Sequence, residues 1–73
     1  MTTADIVREL AIALARSGTE PDQAVRELEM CCEGRRVAVV RARQQLASVD
    51  GERGEDARLA IEFLDALLAR LPA

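Results

Sequence analysis

The sequence predicts an all-α domain: three helices, short, long and medium in chain order, arranged as antiparallel helical hairpins and completed by a second copy as a dimeric helical bundle. Three observations predict this fold. Apolar residues recur at steps of three and four along three segments. These residues are nearly all aliphatic, as in closely packed helices, and Phe63 is the single aromatic side chain. Residues 36–40 are rich in β-branched side chains, but no second strand-like run exists to pair with them. The 73 residues leave room for one domain, residues 1–73.

The first helix is predicted over residues 3–16. Thr2 and Asp5 have the spacing of a capping box, with Asp in place of the more common Glu. Gly18 follows the last turn, where a left-handed residue commonly ends a helix. The apolar face of this helix is formed by Ile6, Val7, Leu10, Ala11 and Leu14.

The second helix is predicted over residues 20–49, with Thr19 as its cap and Pro21 in its first turn. A seam of alternating three- and four-residue steps runs through almost four heptads. Gly34 lies off this seam and leaves a kink open, because glycine inside a helix costs about 1 kcal/mol relative to alanine. The seam consists of Val25, Leu28, Cys32, Arg35, Val39, Ala42, Leu46 and Val49.

The third helix is predicted over residues 55–70, after a polar loop at residues 50–54 and before Pro72. Glu55 and Asp56 complement the positive start of this helix, and Arg70 complements its negative end.

A chain this short has a marginal core, because it buries only about 60% of the surface that its unfolded form exposes. The long second helix would have one neighbour along each half, and several apolar side chains lie off the main stripes. We therefore expect a homodimer in which the second helix meets its copy near residues 30–40. The interface residues predicted on this basis are Met30, Val37, Val40, Leu59 and Phe63.

The charge composition gives no general attraction to nucleic acid or anionic lipid, because 13 acids and ten cations leave a net charge of −3. All ten cations are Arg, and Lys is absent. Arg and Ala have GC-rich codons, so this usage indicates a GC-rich bacterial genome. Neither a secretory signal nor an apolar run of membrane-spanning length is evident, so a cytoplasmic location with reduced cysteines is expected.

Four arginines form a basic run, and no acid lies between Gly34 and Val49. Arg35 is expected inside the seam, against a Glu of a neighbouring helix. Arg36, Arg41 and Arg43 are candidates for a site that binds a phosphate or an acidic partner surface. An alternative function is therefore a nucleic-acid-associated transcriptional regulator. A helix-turn-helix is disfavoured, because the second helix would begin with acids where that motif meets DNA.

Cys31 and Cys32 are adjacent and are expected to act as small buried apolar residues. A single chain offers two cysteines and no histidine, fewer ligands than a structural zinc site needs. Arg35 and Arg36 follow one turn later, which leaves open a thiol or metalloid sensor as a second alternative. No metal or other cofactor is expected.

The sequence predicts no catalytic site. Without histidine there is no Ser-His-Asp triad, the Ser, Thr and Cys side chains have no evident base beside them, and no glycine-rich phosphate loop is present. The function that these observations favour is a small interaction module or regulator that acts by helix–helix association and partner binding.

Overall fold

The computed structural model describes residues 1–48 and 54–71. These residues form four α-helices and no strand: α1 (Thr3–Arg16), α2 (Pro21–Cys32), α3 (Arg36–Ala47) and α4 (Gly54–Arg70). The all-α class is confirmed. The predicted end of the second helix at Val49, most of the polar loop before the last helix, and Pro72 lie outside the described residues.

The first helix and its capping box are present as predicted. The Thr2 side chain accepts a hydrogen bond from the Asp5 backbone N–H at 3.2 Å, and the Asp5 carboxylate accepts one from the Thr2 backbone N–H at 3.1 Å. The prediction that Thr19 caps the second helix is wrong. Glu20 takes the cap position without a side-chain hydrogen bond, and Pro21 opens the helix.

The prediction of one long helix over residues 20–49 is wrong, because the chain breaks between α2 and α3. Glu33 and Gly34 both have positive φ, at 52° and 76°, and Arg35 begins α3 as its cap residue. The break falls at the glycine where the sequence left a kink open. It also removes Arg35 from the expected buried seam and leaves it exposed.

α1 and α4 form a central pair of helices, and α2 and α3 lie on opposite sides of this pair. α1 and α4 are in close contact, α2 and α3 each pack against both of them, and α2 and α3 barely touch each other. The core is aliphatic with Phe63 among its members, and no charged or polar residue of the described chain is buried. The fold therefore covers by itself much of what a long second helix would have left open.

Three contacts between helices give their directions. Arg8 Nη1 donates to Gln45 Oε1 at 2.6 Å, and residues 2–4 lie beside residues 35–38, so α1 and α3 run the same way. Arg70 lies 3.7 Å from Glu29, so the ends of α2 and α4 meet. The molecule therefore has one end at which α1 and α3 begin and α2 and α4 finish. We call it the basic end, because Arg35, Arg36 and Arg41 lie there.

Candidate interaction surface

A groove of about 410 Å³ opens at the basic end, between the starts of α1 and α3. It is lined by residues 2–4, residues 35–38 and Arg41. We call it the basic groove. Ala4 and Ala38 are buried at its floor, whereas Val37 stands 70% exposed on its wall. The groove therefore combines a concave shape with an open apolar side chain and charged neighbours.

The positive charge of the groove is largely unpaired. Arg36 Nη1 donates to the backbone carbonyl of Leu68 at 3.0 Å, close to the end of α4. The side chains of Arg35 and Arg41 make no hydrogen bond or ion pair with any described residue. The start of α3 adds to this charge, because it has neither a side-chain cap nor an acid in its first turn.

The exposed large apolar side chains of the described residues all belong to the basic end. Met1 is 93% exposed, Ile6 44%, Met30 79% and Val37 70%. Met1 and Ile6 belong to the start of α1, Met30 to the last turn of α2 and Val37 to the first turn of α3. Ile6 was expected on the buried face of the first helix, and that expectation is wrong.

The five predicted interface residues divide into three groups. Met30 and Val37 are exposed, as an interface requires. Val40 and Leu59 are half-buried, and Leu59 packs against the core. Phe63 is only 2% exposed, so the expectation that a single copy leaves it uncovered is wrong. It belongs to the single core cluster that residues of all four helices share.

The three arginines predicted as a site for an anionic partner do not stay together. Arg36 and Arg41 line the groove, but Arg43 binds the carboxylate of Asp65 on α4, and this hydrogen bond raises the pKa of Arg43. The third arginine that lines the groove is Arg35. The contribution of residues 2–4 was missed, because no sequence pattern reports which helix start lies beside residue 35.

The two cysteines are placed as small core residues. Cys32 is fully buried, and its Sγ donates to the Glu29 carbonyl at 3.4 Å. Cys31 is partly buried, and burial raises the pKa of its thiol, with Cys32 and Glu33 adding to the effect. Arg35 and Arg36, which follow in the chain, do not lower the pKa of this thiol. No cluster of three or more His, Cys, Asp or Glu residues suited to a metal ion is found in the described ranges.

Neither a family model, a curated protein nor a solved structure matches this chain. Across the described residues a membrane-spanning helix is not found, since no helix combines the length and the apolar character that a bilayer crossing needs.

Proposed function

We propose that this chain is a small, non-catalytic protein–protein interaction module that acts by self-association through its basic end. One observation carries the proposal: Met30 and Val37, on either side of the break between α2 and α3, are 79% and 70% exposed. The other large aliphatic side chains of the two helices are buried or half-buried. The two side chains are seven positions apart in the chain and lie at the same end of the molecule.

The energetics favour covering this end. Burying a Val or Met side chain stabilises a structure by about 1.5–3 kcal/mol relative to leaving it in water. A second copy covers the same side chains twice, because a two-fold interface repeats each contact. For a domain of 73 residues, with its marginal core, a gain of this size is a large share of the total stability.

The two alternative functions have less support. A nucleic-acid-associated regulator would use the arginine face of α3, but Asp65 neutralises Arg43 and Arg36 is held by the end of α4. A thiol sensor needs an accessible thiol with a lowered pKa. Cys32 is buried, and the pKa of Cys31 is raised.

The molecular mass in solution tests the proposal. We expect sedimentation equilibrium over a concentration series to approach twice the chain mass of 8.0 kDa. Val37→Asp should shift the protein to the monomer. Because acids near a helix start are favourable, this change should not weaken α3 itself. Arg58→Asp, at an exposed position near the start of α4 and so at the opposite end of the molecule, is the control and should stay dimeric. A wild-type protein that remains monomeric at high concentration would overturn the proposal.

A further inference from the structure

We propose that the dimer is held by opposite charges, with the acidic α2 of one copy lying against the basic groove of the other. This inference rests on the proposed self-association and specifies which surfaces meet. The occupant of the groove is thus a second copy of this chain, and charge complementarity is the argument for it.

The two helices that flank the break carry opposite charge. Residues 20–33 hold five acids and one arginine, whereas residues 35–48 hold four arginines and no acid. These charges do not neutralise each other within the chain, because α2 and α3 lie on either side of the α1–α4 pair. Among the described residues Glu29 pairs with Arg70 and Arg43 with Asp65, both across to α4.

The exposed apolar residue of each helix has charged neighbours that are mainly of one sign. On α2, Glu27 is one turn before Met30 and Glu33 follows it by three residues, while Arg26 is the one cation beside it. On α3, Val37 stands between Arg36 and Arg41. In the proposed dimer, a mainly acidic surface centred on Met30 would meet the basic groove beside Val37. Such an arrangement gains both apolar burial and electrostatic complementarity when the two surfaces meet.

The charge pattern also decides between the possible symmetric contacts. Pairing α3 with α3 would place arginines against arginines, and pairing α2 with α2 would bring together two copies of residues 20–33, which each hold five acids and one arginine. Like-charge contacts at an interface cost several kcal/mol. A two-fold axis that places α2 of each copy on the groove of the other avoids both, and it makes the favourable contact twice.

A charge-swap experiment tests this pairing. Arg41→Glu and Glu27→Arg should each weaken self-association by about tenfold or more, because each homodimer then holds two like-charge contacts. An equimolar mixture of the two variants should recover the wild-type dissociation constant as a heterodimer, since both contacts become attractive again. The double variant in a single chain should also recover it. Arg58→Glu, at an exposed position near the start of α4, is the control and should associate as the wild type does.

The outcomes separate the two proposals. A dimeric wild type whose single variants associate normally, or whose mixture shows no recovery, would overturn the α2–groove pairing and leave self-association standing. A monomeric wild type would overturn both proposals. Circular dichroism of each variant confirms that the helices are intact before association is measured.

Discussion

Glu33 and Gly34 are consecutive residues in the left-handed region of the backbone, with φ of 52° and 76°. Together they end α2 and turn the chain toward the start of α3, and the Arg35 backbone N–H donates to the Cys32 carbonyl at 3.0 Å across the turn. This short turn separates the acidic helix from the basic one and brings Met30 and Val37 to the same end of the molecule. Glycine adopts this conformation without strain, whereas glutamate does not.

Gly34→Ala distinguishes a break from a continuous helix by the sign of its effect. In a continuous helix alanine would raise the free energy of unfolding by about 1 kcal/mol. At a positive φ it should instead lower that free energy by about 1 kcal/mol. A new Cβ would meet nothing within 4 Å, so the backbone alone decides the result. We expect destabilisation in urea denaturation.

Glu33→Gly is the companion variant, and it should raise the unfolding midpoint, because it removes a non-glycine residue from the left-handed region. Stabilisation by Gly34→Ala together with destabilisation by Glu33→Gly would show that residues 20–49 form one helix after all.

The sequence predicted which residues of this region are buried but not how they are arranged. The seam steps by three and four through the break without losing phase, since the buried faces of α2 and α3 happen to continue one pattern. Among the seam residues that the structure describes, Arg35 alone departs from it, because it lies at the turn. Periodicity cannot detect such a break, because it reports which residues share a face and not where the helix ends. Phe63, which the single long helix was expected to leave open, is buried in the observed fold. The seam residues buried as predicted are Val25, Leu28, Cys32, Val39, Ala42 and Leu46.

The candidate site was only partly predictable, because periodicity reports which residues of one helix are exposed but not how two helices pack. The exposure of Met30 and Val37 follows from their position opposite the seam, and local periodicity reports it. The commitment of Arg43 to Asp65 depends on how α3 packs against α4, which no local pattern reports. Local patterns also do not report that the start of α1 lines the groove.

Phe63→Ala should abolish cooperative folding. Truncating a buried phenylalanine costs about 3–5 kcal/mol, which is close to the whole stability expected of a domain of this size. Thermal denaturation followed by circular dichroism should show no cooperative transition. Leu59→Ala, at a half-buried position on the same helix, should keep the transition at a lower midpoint. A folded, monomeric Phe63→Ala protein would instead place this side chain at the interface.

The cysteines should be poor nucleophiles in the folded protein. The raised pKa of Cys31 lowers its thiolate fraction at neutral pH, and Cys32 is inaccessible. Titration with a thiol reagent should therefore modify Cys31 more slowly than a free thiol, with a rate that increases at alkaline pH. Cys31→Ala isolates Cys32, which should react only after unfolding. Rapid modification of either cysteine at neutral pH would contradict this placement and revive the thiol sensor.

The capping box of α1 should make stability depend on pH in the acid range. The backbone N–H of Thr2 holds the pKa of Asp5 below its ordinary value of 3.8, the Thr2 hydroxyl contributes to this, and Arg8 lies 3.5 Å away. A carboxyl whose pKa is lowered by folding stabilises the folded state above its unfolded pKa. This contribution is lost as the pH falls through the folded value. Asp5→Ala should therefore show a smaller loss of stability between neutral pH and the acid range than the wild type.

An NMR titration measures the same linkage directly. The Asp5 carboxyl should titrate below 3.8 in the wild type and closer to that value in Thr2→Ala, which retains the backbone donor but loses the hydroxyl. Because α1 begins beside the basic groove, fraying of this cap should also perturb the resonances of residues 35–38. An Asp5→Ala protein with the same pH dependence of stability as the wild type would show that the capping box is not coupled to folding.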